Sequence, residues 1–121
     1  MDAAEKEILI VDDDPDNRLL VEKILRFYGF KTIAVSDGKT ALEYCENHYP
    51  AIILVDFGLP DMDGRQVACR LREKACYKET PLIAFTANPL HADQANAFSG
   101  ILIKPFTPQD LMRLIREFMP H

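Results

Sequence analysis

The chain has little of what several protein classes require. Lys and Arg number 14 against 19 Asp and Glu, a formal net charge of −5. There is no basic excess of the kind phosphate-backbone binding needs, and no nucleic-acid partner is expected. No apolar run exceeds strand length, and the opening residues MDAAEKE are acidic without an apolar core. Neither a membrane span nor a signal peptide is expected, and a cytoplasmic location is. Cysteine is scarce: Cys45, Cys69 and Cys76 are odd in number and form no C-x-x-C pair. That excludes a disulfide framework or zinc site and predicts reduced thiols acting as small buried apolar side chains. His48, His91 and His121 share no ligand spacing and are assigned structural roles. No low-complexity tract, internal repeat or linker interrupts the 121 residues, which read as one domain over 1–121.

What is present is a regular alternation. Apolar residues make up 48% and charged residues 27%, a globular balance. The short apolar segments ILIV (8–11), TIAV (32–35), IILV (52–55), LIAF (82–85) and ILI (101–103) read as strands buried on both faces. Helix-period stripes lie between them: Leu20, Ile24 and Tyr28; Leu42 and Cys45; Val67 and Leu71; and, most regular, Leu111, Leu114, Ile115 and Phe118. A weaker helical segment falls within 88–100. Asp14-Pro15 and Thr107-Pro108 look like N-caps followed by proline, and Gly29 suits a left-handed helix end. Strict alternation predicts an α/β fold: a doubly wound five-stranded parallel sheet with helices on both faces.

In such sheets ligands gather beyond the carboxyl ends of the strands. Residues just past each strand are Asp12, Asp13 and Asp14 after the first, Ser36 and Asp37 after the second, Asp56 after the third, Thr86 after the fourth and Lys104 after the fifth. Three consecutive aspartates repel one another unless something positive offsets them. A hard divalent cation such as Mg2+ (or Mn2+) takes a few carboxylates and keeps several waters, and it can neutralise a phosphoryl group that Asp56 attacks as a carboxylate nucleophile. Asp14 is accounted for as a helix cap. The spacing Asp12-x-Asp14-x-Asp16 also imitates a helix–loop–helix calcium loop, but that loop wants glycine and glutamate where this chain has Asn17 and Lys23.

The motifs VDD after the first strand, LVDFGLPDMDG around Asp56, AFTA around Thr86 and IKPF around Lys104 stand in the order seen in bacterial two-component response-regulator receiver domains, which this chain resembles over nearly its whole length. The resemblance implies a flavodoxin-like sheet of strand order 2-1-3-4-5. It also implies that Asp56 accepts a phosphoryl group, that Asp13, Asp56 and the carbonyl of Gly58 hold Mg2+, and that Asp12 acts through a bound water and Lys104. Thr86 and Lys104 would bind phosphoryl oxygens, and the Lys104-Pro105 peptide would be cis. The implied partners are a histidine kinase or phosphotransfer protein, and a downstream protein target or attached effector domain; the implied assembly is a monomer or weak dimer. Such a protein catalyses only its own phosphorylation and dephosphorylation.

Two other readings compete. Haloacid-dehalogenase-like phosphohydrolases also place D-x-D after a first strand, which Asp12-x-Asp14 imitates, but Asp16 stands where they carry Thr or Val. A receiver-like module could instead bind partners without phosphorylation. The sequence also departs from the family pattern. Ile101 replaces the usual aromatic residue three places before Lys104. The stretch from Thr86 to Lys104 is short by about one helical turn of roughly 3.6 residues, giving a shortened fourth helix region. Gly58 and Asn88 offer no usual side chains two places after Asp56 and Thr86. The chain is expected to be a stand-alone receiver or one excised from a hybrid kinase or longer regulator.

Overall fold

The computed structural model describes residues 7–87 and 97–119. The elements are β1 (Glu7–Val11), α1 (Pro15–Phe27), β2 (Lys31–Val35), α2 (Gly38–Tyr44), β3 (Ile52–Asp56), α3 (Gly64–Arg72), a 3-10 turn (Ala75–Tyr77), β4 (Leu82–Thr86), β5 (Gly100–Ile103) and α4 (Pro108–Phe118). Each apolar run of the sequence is a strand, lengthened by a flanking residue such as Asp56 on β3 or Thr86 on β4. The fourth helix region, expected to be shortened, falls largely on residues 88–96, which include His91 and with His121 lie outside the described residues. The helix named α4 is therefore the C-terminal stripe.

The strands pair in parallel in the order β2-β1-β3-β4-β5, the expected flavodoxin-like arrangement. Alternation along each strand sends side chains to two cores. Ile8, Ile10, Ile52, Leu54, Ile83 and Phe85 meet Val21 and Leu25 of α1 and Leu111, Met112 and Ile115 of α4. Leu9, Val11, Ile53, Val55 and Leu82 meet Ala41, Cys45, Val67, Ala68, Leu71 and Tyr77 on the other face. Burying a Val, Leu or Ile fully contributes about 1.5–3 kcal/mol, so the two layers hold helices to both faces without a disulfide.

Helix ends follow local chemistry. Asp14 caps α1, with Pro15 at its first position. α1 closes with the amides of Gly29 and Phe30 donating to Arg26 and Leu25, both at 3.0 Å, and this Schellman end needs the φ of 92° that Gly29 adopts. Asp63 with Gln66, and Thr107 with Asp110, form capping boxes on α3 and α4. Arg72 ends α3 as a tie: its guanidinium donates to the carbonyls of Tyr77, Thr80 and Ala97 at 2.7, 2.8 and 2.9 Å.

Two expectations are corrected. The fully buried residues of α1 are Val21 and Leu25; of the expected stripe Ile24 packs partly against the same core, whereas Leu20 is 52% and Tyr28 43% exposed. The helix carries two apolar rows one residue apart, and the row with Val21 is the one that seats against Ile8 and Ile10, leaving Tyr28 under the Arg116 guanidinium at 5.5 Å. Only Cys45 is a buried thiol; Cys69 and Cys76 are exposed. Val67, Ala68 and Leu71 already fill the inner face of α3, and Tyr77 takes the inward place of the 3-10 turn. His48 is exposed and stacks on the Tyr44 ring with centroids 4.1 Å apart, which agrees with a structural role.

Candidate functional site

Three ladder bonds fix the site's backbone at the carboxyl edge of the sheet. Asp12 N–H donates to Val35 O at 3.1 Å, Phe57 N–H to Phe85 O at 3.0 Å, and Lys104 N–H to Thr86 O at 2.8 Å. The residues that follow β1, β3 and β5 are thus held by the same hydrogen bonds that hold the sheet. The Lys104-Pro105 peptide is cis.

The three successive aspartates take three different environments. Asp12 is fully buried, and both its carboxylate oxygens are engaged. Oδ1 accepts from the Asp14 amide at 3.0 Å, Oδ2 accepts from the Asn17 side-chain amide, and its main-chain carbonyl accepts from Arg18 Nη1 at 2.8 Å. Asp13 is exposed. Asp14 turns away and accepts from the Asp16 amide at 3.0 Å, which is the cap of α1.

Asp56 sits between strand and loop at 9% exposure, buried but reachable. Its Oδ1 accepts from the Gly58 amide at 2.9 Å and its Oδ2 pairs with Lys104 Nζ at 3.2 Å. Gly64, at the start of α3, approaches so closely that an added Cβ would lie 2.8 Å from the Asp56 carbonyl. A Cβ at Gly58 would stand 3.8 Å from Asp56 Oδ1, so this position borders the carboxylate without a side chain to cover it. Thr86 is buried at the end of β4, its Cα opposite Ile103.

One carboxylate oxygen each from Asp12, Asp13 and Asp56 lies within 4.8 Å of the others. Burial pushes the Asp12 carboxyl above its ordinary range and the Asp56 charge adds to this, while hydrogen bonds from Asn17 and Asp14 and the Lys104 charge oppose it. Among the described residues, three carboxylates face the Lys104 ammonium, an excess of negative charge. The pocket's donors are hard oxygens, and that set fits Mg2+.

The structure brings together Asp12, Asp13, Asp56, Gly58 and Lys104 and places Thr86 on the neighbouring strand end; Asn88 lies outside the described residues. Sequence reasoning missed Asn17, Arg18 and Asp61. Asn17 follows Asp12 by five residues, the separation at which the first turn of a following helix folds back over the strand end, a signal that was available. Asp61 accepts from the amides of Gly38 and Lys39 at 3.0 and 2.9 Å, joining the loop after β3 to the start of α2, and nothing in the local sequence reveals that contact.

A doubly wound parallel sheet of order 2-1-3-4-5 with an acidic, lysine-facing pocket at its carboxyl edge defines the class: flavodoxin-like α/β proteins of the kind that includes CheY. The chain belongs to the response regulator receiver domain family, whose model matches residues 8–116, a span containing every residue of the pocket. It is 37% identical over 118 residues to the transcriptional regulatory protein SrrA of Staphylococcus aureus, covering 93% of this chain and spanning about half (47%) of that regulator. The chemotaxis response regulator CheY4 of Vibrio cholerae superposes with a TM-score of 0.89 at 27% identity, over 93% of this chain and 98% of that one. The receiver domain of the Pseudomonas aeruginosa sensor histidine kinase PA1611, which has a magnesium ion coordinated in its active-site cleft, gives a TM-score of 0.86 at 33% identity, over 93% and 96%. Receiver domains of two-component systems are regulatory, not classical enzymes. The dehalogenase-like alternative fails on geometry as well, because Asp14, the second acid of its D-x-D, caps α1. No helix among the described residues is long and apolar enough to cross a membrane.

Proposed function

We propose that this receiver domain accepts one phosphoryl group on Asp56 in an Mg2+-dependent reaction and that the modification switches its protein contacts. The observation that supports this most is the meeting of the Asp12, Asp13 and Asp56 oxygens within 4.8 Å beside an Asp56–Lys104 pair at 3.2 Å. The donor is a phosphohistidine of a histidine kinase or phosphotransfer protein, or a small acyl phosphate. An Asp56 oxygen attacks phosphorus, a P–O bond forms as the bond to the donor breaks, and the donor leaves as free histidine or carboxylate.

Asp13, Asp56 and the Gly58 carbonyl would hold Mg2+ directly, and Asp12 would hold it through water. When bound, the ion supplies positive charge to the phosphoryl oxygens during transfer. Lys104 transfers its pairing from Asp56 Oδ2 to a phosphoryl oxygen, and the Thr86 hydroxyl donates to another. The signal goes to a downstream protein target or an attached effector domain. The domain turns over no separate substrate; it acts on its own phosphoryl group.

Intact-mass measurement with acetyl phosphate tests this. Wild type should gain one phosphoryl group in Mg2+ or Mn2+ and none in chelator, and Asp56→Asn should gain none. Equal labelling of both proteins would overturn the assignment of Asp56. A wild type that takes no label from any donor yet binds partners would establish the phosphorylation-independent module instead.

A further inference from the structure

The Asn17 side-chain amide engages a carboxylate of the pocket directly, by donating to Asp12 Oδ2. We infer that Asn17 is a positioning residue that keeps Asp12 out of direct contact with the cation and so holds the pocket to a small, water-retaining ion such as Mg2+. This rests on the cation reading above.

The Asp12 carboxylate is tethered at both oxygens, Oδ1 by the Asp14 amide at 3.0 Å and Oδ2 by the Asn17 amide. With both donors present it cannot rotate. Each oxygen keeps a second lone pair, enough to accept a hydrogen from a metal-bound water. Its oxygen nevertheless lies within 4.8 Å of oxygens of Asp13 and Asp56, close enough to become a third carboxylate ligand, beside the Gly58 carbonyl, if released. Asn17 is neutral, so it restrains the carboxylate without cancelling the negative charge that attracts the ion. A lysine there would cancel it.

Removing the Asn17 donor leaves Oδ2 of a fully buried carboxylate without its partner, and the nearest substitute is the ion itself. Direct ligation by Asp12 displaces a water. Mg2+ demands an octahedron at about 2.0–2.1 Å and gives up water reluctantly, whereas Ca2+ accepts about 6–8 oxygens at 2.3–2.6 Å. Loss of Asn17 therefore moves the pocket from Mg2+ toward Ca2+.

The test is calorimetric titration of the metal-free protein with MgCl2 and, separately, CaCl2. Wild type is compared with Asn17→Ala, Asn17→Ser, whose shorter hydroxyl does not reach Oδ2, and Arg18→Ala, which removes a donor to the Asp12 main chain and leaves its carboxylate tethered. Mg2+ affinity should fall about 10-fold in both Asn17 variants, in the range seen when a metal ligand loses its hydrogen-bonded support. Ca2+ affinity should hold or rise, so the preference shifts by about that same factor, and Arg18→Ala should leave the preference unchanged. Equal changes for both ions in the Asn17 variants, or an equal shift of preference in Arg18→Ala, would overturn the inference, since general loosening of the turn after β1 would then account for it. A wild type that binds neither ion would overturn the cation reading beneath it. Serine at 17 keeps the test open should alanine there prevent folding.

Discussion

At the scale of single residues, neighbouring aspartates do opposite things. Asp14 binds an amide at a helix start and stabilises the fold, whereas Asp12 is buried close to Asp56, where its charge opposes the fold and serves the site. Asp13→Ala should therefore weaken Mg2+ binding far more than Asp14→Ala, and Asp14→Ala should lose about 0.5–2 kcal/mol of stability as the cap goes. Mg2+ titration beside a thermal melt of each variant checks the ranking, and the reverse order would mean that the two side chains had been exchanged. Asp12→Asn should do the converse and stabilise the metal-free protein by about 0.5–2 kcal/mol, as removal of a functional liability commonly does, while Mg2+-dependent labelling falls. An unchanged or lower melting midpoint in chelator would count against burial as the dominant effect. The carboxylates were legible in the sequence because strand ends are where an α/β sheet keeps its chemistry. Asn17 was less so, because an amide early in a helix reads first as an ordinary surface residue.

At the scale of elements, what could be read depended on whether a local rule determined the outcome. Proline after a capping residue, glycine at a left-handed end and the apolar strand runs each follow from a few adjacent residues, and all appear as expected. The buried face of α1 depended on which of two adjacent apolar rows met β1, and the Asp61 clamp on α2 spans more than twenty residues of chain, so neither followed from local pattern. That clamp carries a pH signature. Hydrogen bonds from the Gly38 and Lys39 amides hold the Asp61 carboxyl below its ordinary 3.8. A depressed carboxyl contributes stability above its unfolded value, and that contribution is lost as pH falls through the lower folded value. Asp61→Asn should thus flatten the loss of stability below about pH 4, read from urea midpoints across pH; an unchanged acid slope would deny Asp61 that role. The start of α3 gives a second test. A Cβ on Gly64 would meet backbone at 2.8 Å from the Asp56 carbonyl and 3.0 Å from the Phe57 Cα, and neither can yield without moving Asp56. Gly64→Ala should lose about 1–3 kcal/mol and slow phosphorylation, and full stability with full rate would show that α3 can slide.

At the scale of the whole molecule, a signal needs one part that moves and another that does not. β1 and β3 are buried along their whole length and are flanked by strands on both sides, so the acids they carry sit on a fixed frame. β5 differs: it borders only β4 among the described residues, and its burial is partial, with Ile101 half-buried and Ile103 41% exposed. A cavity of about 490 Å³ lies alongside it, lined by Ile101, Ile103, Lys104, Arg113 and Leu114 among others. Thr86 and Lys104, the two residues proposed to grip the phosphoryl oxygens, are on β4 and just past β5, and the Lys104 amide bonds the Thr86 carbonyl at 2.8 Å. Drawing both toward Asp56 displaces the edge of the sheet and not its centre. Because Ile101 has no large ring or hydroxyl to swing, the response expected of the proposed phosphorylation is a shift of β5 against α4, a two-state element biased by phosphate. Hydrogen exchange with and without a beryllofluoride mimic should therefore change protection at Ala87, across residues 97–106 and in the first turn of α4, with α2 and α3 unaltered. Changes confined to α1, with residues 97–106 indifferent to the mimic, would rule out this route and place the output on the face that carries Leu20 and Phe27.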